Sequence, residues 1–191
     1  MISFLRQSLA GLRLLLVLTV VLGLAYPMAV FGVGRLVPDR ADGSMLTVDG
    51  SVVGSRLIGQ AFDGDEWFLP RPSVAGDGYD PLASGASNLG PENPDLLATV
   101  TERKQEVADR EGVDPSAVPA DAVTASGSGL DPDISPEYAR LQVDRVARAR
   151  GLDPDAVRQL VDDHVKGRDL GFLGEPRVNV LELNAALAVL D

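Results

Sequence analysis

Few side chains in this chain are equipped for catalysis. Its 191 residues hold one histidine, His164, two lysines, Lys104 and Lys166, and no cysteine. Disulfides, thiolate catalysis and Cys-ligated zinc are therefore excluded, and any Ser-His-acid triad has to use His164. His164 follows Val157, Leu160 and Val161 at i, i+3, i+4, i+7 spacing, on the apolar face of an expected helix. A structural histidine is the plainer reading there than a general base. Gly127-Ser128-Gly129 lacks the spacing of a nucleophile elbow, and neither lysine opens a helix behind a glycine-rich turn as a phosphate-binding loop requires. Val165-Lys166-Gly167-Arg168 is basic but falls at an expected helix end, where cations satisfy the terminal carbonyls. Asp131, Asp133 and Ser135 match the opening of a calcium loop, yet Pro136 stands where the sharp turn needs glycine and the closing glutamate is missing. The turns Asp63-Gly64-Asp65-Glu66 and Asp77-Gly78-Tyr79-Asp80 can hold a hard cation weakly, and exposed acidic turns are the commoner case. The chain thus shows no catalytic, metal or cofactor site of its own, while leaving room for a contribution to a partner's site.

The elements that position these residues are punctuated clearly. Asp49-Gly50 lies between Met45-Leu46-Thr47-Val48 and Ser51-Val52-Val53 and predicts a β-hairpin closed by a type I′ turn. Residues 55–62 extend that arm or form another strand, and 66–69 is a short aromatic strand candidate. Four helices are expected later. Asn93-Pro94 opens one that ends before Gly112, Ser135-Pro136-Glu137 opens one that ends at Gly151, and Asp153-Pro154 opens a third. Asn179 and Glu182 stand in capping-box relation ahead of the last. Residues 122–125 are a possible strand. Strands early and helices late indicate an α+β domain.

Ahead of this domain, residues 14–34 form an uncharged run of 21 residues. At about 1.5 Å per residue it matches a hydrocarbon layer roughly 30 Å thick. Its Leu, Val and Phe residues favour insertion by on the order of 5 kcal/mol, and Arg13 and Arg35 mark its ends. The division is therefore an N-terminal segment 1–13, a transmembrane helix 14–34 and one soluble domain 35–191. Gly23, Ala25, Gly32 and Gly34 are small residues that let a neighbouring helix approach. A cleaved signal peptide is the competing reading, and the length of the run argues against it. Residues 1–34 carry Arg6 and Arg13 and no acid, so the remainder carries −13 against −11 for the whole chain. Such a field repels nucleic acid.

Residues 71–94 are crowded with Gly, Pro, Ser, Asn and Asp and predict a long irregular loop, either a binding surface or a plain linker. Partner contact is expected from Arg71, Ser73, Tyr79, Ser84, Ser87, Asn88 and Asn93 in this loop and from Ser126, Ser128 and Asp131 in a second one. The alternative is that these groups order the loops themselves.

The composition of these loops also carries a resemblance. RPS at 71–73, YDPLASGASNLGPENPDL at 79–96 and TASGSGLDPDISPEYA at 124–139 look like the KdpC family, the C subunit of the bacterial potassium-transporting Kdp P-type ATPase. Tyr26-Pro27, DGSVVGSRLIGQAF at 49–62, RVARARGL at 145–152 and GEPRVNVLELNAAL at 174–187 match in order and spacing. The resemblance implies an accessory subunit of the plasma membrane, with no cofactor of its own, in a complex whose other parts bind ATP and potassium. Its implied partners are a channel-like potassium-binding subunit, the ATP-hydrolysing pump subunit and a very small membrane peptide. The implied role is a catalytic chaperone that raises the pump subunit's affinity for ATP and helps assemble the complex. Positive-inside counting ties, with Arg6 and Arg13 before the span and Arg35 and Arg40 after it. The resemblance, the acidic domain and the α-amine favour an extracytoplasmic domain; direct contact with ATP from the cytoplasm is the other possibility. An independent membrane-anchored hydrolase or cation-binding module is the alternative function.

Overall fold

The computed structural model describes residues 2–190, in two compact units divided between Ser44 and Met45. The first unit is one long helix and its exit. α1 (Ile2–Val20) continues through a π-turn at Val21–Ala25 into α2 (Tyr26–Gly34). Together they make 33 residues, long and apolar enough to cross a membrane, with no residue of the α1, π-turn or α2 segments buried. Helix therefore starts well ahead of the uncharged run, because residues 2–13 contain no proline and only one glycine, Gly11. The π-turn has a local cause. Pro27 has no N–H to donate to Gly23, and its ring crowds that carbonyl, so the turn before it widens and the Tyr26 N–H bonds Val21 O, five residues back. A short α3 (Pro38–Ala41) follows. Gly34 lies against it, with a Cβ at that position 3.4 Å from the Ala41 Cβ, so this small residue serves a contact within the unit. Nothing within the chain crowds Gly32, and Gly23 would touch only Thr19 at 4.0 Å. Gly23→Leu and Gly32→Leu are accordingly expected to leave membrane insertion unchanged and to reduce co-purification with the membrane subunits that the resemblance implies; unchanged recovery would reduce this face to a tether.

In the second unit β1 (Met45–Val48) and β2 (Ser51–Ser55) pair antiparallel across Asp49 and Gly50, at φ 50° and 78°. Both central residues thus take the left-handed conformation that a type I′ turn requires. Residues 66–69 form no strand. Phe68 instead gives its N–H to Asn184 Oδ1 (2.9 Å) and takes Asn184 Nδ2 on its carbonyl (2.9 Å), and Leu69 makes the same two-sided pairing with Gln142 at 2.7 and 3.1 Å. Two buried carboxamides replace the neighbouring strand.

α4 (Pro94–Glu111) is capped by Asn93 and closed by Gly112 at φ 69°. Residues 122–125 are not a strand either. Two 3₁₀ turns, Pro115–Ala117 and Ala120–Ala122, run up to them, and the Thr124 N–H and hydroxyl both bond Ala120 O, as the alanines and Pro119 favour. The expected second helix is divided at Gln142 into α5 (Pro136–Leu141) and α6 (Val143–Arg150). α7 (Pro154–Asp163) and α8 (Val180–Leu187) complete the helices, capped by Asp153 and Asn179. β3 (Asp133–Ile134) pairs with β4 (Val178–Asn179) and ties the second loop to the start of α8. The whole is the α+β domain expected behind an apolar N-terminal helix.

Phe68, Val107, Tyr138, Val146, Val161 and Leu183 lie at the centre of the core. Through it runs one buried ion pair, Arg145–Glu111 at 2.9 Å, with both side chains under 5 % exposed. Arg145 also donates to the carbonyls of Asp65 (2.6 Å) and Trp67 (3.0 Å) and to Gln142 Oε1 (2.8 Å). It thereby fixes the same stretch of chain that leads into Arg71.

Candidate partner-contact site

The two polar loops are a single interlocked structure. Leaving the core at Leu69, the chain places Arg71 so that Nη1 pairs with Asp131 Oδ2 at 2.9 Å, while Nε and Nη2 reach Thr124 O at 3.4 and 3.3 Å. Ser73 Oγ donates to Gly129 O (2.6 Å) and accepts from the N–H groups of Tyr79 (2.8 Å) and Ala75 (3.2 Å). Further along, the Ser84 hydroxyl and the Gly85 N–H both bond Ser128 O at 2.9 Å. Gly129, at φ 69°, sits so close that a Cβ would fall 2.8 Å from Ala75 and from the Gly85 carbonyl. A non-glycine residue is blocked twice there, by its backbone conformation and by contact.

Tyr79 is the pivot of the first loop. Its hydroxyl donates to Arg71 O, and its backbone stands at φ 57°, a conformation that costs a bulky residue roughly 1–2 kcal/mol. Burial and the neighbouring Asp131 carboxylate hold the phenol protonated, well above its ordinary value, so it remains a donor at every physiological pH. Asp133, two residues after Asp131, also has its carboxyl pushed up, by burial first and then by Asp131.

The expected site residues therefore divide. Arg71, Ser73, Tyr79, Ser126 and Asp131 are half-buried or buried, and Ser84 and Ser128 sit at the seam; Arg71, Ser73, Ser84, Ser128 and Asp131 join the two loops, while Tyr79 orders the first loop and Ser126 meets only the Ser128 hydroxyl, at 3.5 Å, within the second. Asn93 caps α4, its Oδ1 accepting from the N–H groups of Asp95 (2.8 Å) and Leu96 (3.3 Å). Ser87 and Asn88 remain on the exposed rim, with Asn88 at φ 54°, and Leu82 of the same loop is almost wholly exposed. Next to the seam a cleft of about 480 Å³ is lined by Arg71, Tyr79, Arg103, Arg110 and Tyr138 together with Asp63, Asp65 and Glu106. The Tyr138 phenol is pushed up to about 12 by burial and by Glu111.

Sequence reasoning did not anticipate Thr124, Gly129 and Ser128 as acceptors, since each acts through its backbone carbonyl. His164 ends α7, half-buried, with Nδ1 2.8 Å from Leu160 O. Among the described residues, no three His, Cys, Asp or Glu side chains are grouped to hold a metal ion.

The family described as KdpC, "K+-transporting ATPase, c chain", matches residues 8–189. The chain belongs to the KdpC family. A potassium-transporting ATPase KdpC subunit of Kineococcus radiotolerans is 66 % identical over 185 residues, covering 97 % of this chain and 94 % of that one. The KdpC subunit of Beijerinckia indica is 53 % identical over 174 residues (91 % and 88 %), and that of Streptomyces coelicolor 50 % identical over 209 (97 % and 93 %). A KdpC chain is one subunit of a multi-subunit potassium-transporting ATPase of the membrane, and its apolar N-terminal helix is the candidate span. The interlocked loops hold three blocks of the KdpC resemblance, at 71–73, 79–96 and 124–139.

Proposed function

We propose that this chain is an accessory, non-catalytic subunit that helps assemble a high-affinity, ATP-driven potassium uptake complex and raises the affinity of its ATP-hydrolysing subunit for ATP. The observation that carries this reading is the family match over nearly the whole chain, joined to a rigid pair of loops that spends its polar side chains on its own order and presents a defined rim. The partners are the channel-like potassium-binding subunit, the pump subunit and the small membrane peptide of that complex. ATP and potassium are bound by them, and the chain needs no cofactor of its own. The flanking arginines tie, and the α-amine and a charge of −13 beyond the helix favour an extracytoplasmic domain. From that side, any influence on ATP is a coupling free energy between distant sites, carried by the membrane subunits.

Co-expression tests this reading. The chain should co-purify with the pump subunits in mild detergent, and a complex assembled without it should need more ATP for half-maximal potassium-stimulated hydrolysis. Failure to co-purify, together with an unchanged ATP dependence, would overturn the proposal.

A further inference from the structure

One core tyrosine carries a hydroxyl that the fold does not use. Tyr138 is 2 % exposed, and its ring lies among the core side chains, a space that a phenylalanine would fill equally well. Its hydroxyl bonds no other described residue. Because every buried side-chain nitrogen or oxygen among those residues has a partner, this oxygen is accessible, and Tyr138 reaches the surface in the cleft of about 480 Å³ beside the loop seam. Burial and Glu111 keep the phenol protonated, so it stands in the cleft as a donor.

Around it the cleft carries unpaired charge of both signs. Arg103, Glu106 and Arg110 follow one another at i, i+3, i+7 along one face of α4, opposite the turn that holds Asp63 and Asp65. The side chains of Glu106, Arg110, Asp63 and Asp65 make no ion pair or hydrogen bond with any described residue, and Arg103 gives one N–H to the Val123 carbonyl at 3.3 Å. The turn is held in place, since Arg145 grips the Asp65 carbonyl at 2.6 Å from within the core. Arg110 is near enough to Tyr138 to oppose the rise in its phenol, and on the Glu111 carboxyl, raised by burial, Arg110 and Asp65 act in opposite directions. A positive and a negative side chain therefore stand close to the same stretch of the cleft.

We infer that this cleft binds a small zwitterion of the amino-acid or short-peptide class, its carboxylate received by the Tyr138 hydroxyl and Arg110 and its ammonium by Asp63, Asp65 and Glu106. Three carboxylates disfavour a plain anion there, and two guanidiniums disfavour a plain cation. A molecule with both charges a few bonds apart complements both sets. The volume is within the range that small ligands occupy, and the apolar wall of Phe62, Leu69 and Val107 accepts a hydrocarbon side chain.

Saturation-transfer NMR on the full chain in detergent tests this, with glycine, phenylalanine, dialanine and alanylphenylalanine as the probes. Magnetisation should pass from the protein to at least one of them at millimolar concentration, and not to the same compounds acetylated at the amine and amidated at the carboxyl. Tyr138→Phe, which keeps the ring, and Arg110→Gln, at an exposed position, should each weaken the affinity about tenfold or more, the usual loss of a hydrogen bond to a charged group. No transfer to any probe overturns the proposal, as does transfer that the capped compounds receive equally or that both variants retain in full. It is overturned too if Tyr138→Phe lowers co-purification with the pump subunits while the parent chain binds none of the probes, since that result assigns the cleft to a partner protein.

Discussion

Arg145→Ala should cost the second unit about 3–5 kcal/mol, the usual loss when one partner of a buried ion pair is removed. For a chain of this size that is a fall in Tm on the order of 10 °C, measurable by circular dichroism of the full chain in detergent. The reason is the company Arg145 keeps. Its removal strands the Glu111 carboxylate and leaves the carbonyls of Asp65 and Trp67 without their donor. A Glu111→Leu, Arg145→Met double variant should recover only the part due to the stranded charge. The loss should also depend on pH. Burial raises the Glu111 carboxyl above its ordinary 4.5, and Arg145 opposes this; without Arg145 it rises further. Between the unfolded and folded values the native state then binds more protons than the unfolded one, so stability falls as pH rises through that window. The deficit of Arg145→Ala is thus smallest below about pH 4 and grows above it. A variant melting within about 2 °C of the parent at neutral pH, equivalent to less than roughly 1 kcal/mol, would refute the account of this ion pair.

Gly129→Val should separate the two loops without unfolding the core. The valine meets a left-handed backbone costing roughly 1–2 kcal/mol, and its Cβ meets Ala75 and the Gly85 carbonyl at 2.8 Å. Relief requires the first loop to move off the second, breaking the Ser73–Gly129 and Ser84–Ser128 contacts. Limited proteolysis should then cut within 71–90, and co-purification with the pump subunits should drop several-fold while the Tm changes by only a few degrees. A variant with an unaltered digestion pattern and full co-purification would show that the seam is not what organises this surface.

What could be read from the chain beforehand follows from the range of the interactions. Asn93, Ser135, Asp153 and Asn179 each bond N–H groups within three residues, so the helix starts were legible as short patterns, as was the Asp49-Gly50 turn. Gln142 and Asn184 reach backbone 73 and 116 residues away, and no local pattern distinguishes a carboxamide that will substitute for a strand from one that will face water. For that reason 66–69 was expected as a strand and the break between α5 and α6 was not expected at all. The Arg145–Glu111 pair spans 34 residues and was equally invisible. In the candidate site, residue types identified the two loops, because a stretch this rich in Gly, Ser and Asn needs side chains to satisfy its backbone. Types alone left open whether those side chains face a partner or each other; for Arg71, Ser73 and Tyr79 the geometry shows that they face each other.

The central claim is that this ordered rim is what the chain presents to the rest of the potassium-transporting complex. Site-specific cross-linking tests it most directly. With no cysteine elsewhere, Ser87→Cys and Asn88→Cys carry a photoactivatable reagent to the rim alone. In the assembled complex, irradiation should give a covalent adduct between this chain and another subunit, in higher yield than from Asp109→Cys on the exposed side of α4. A complex that assembles fully, yet gives no adduct from either rim position, would contradict the account.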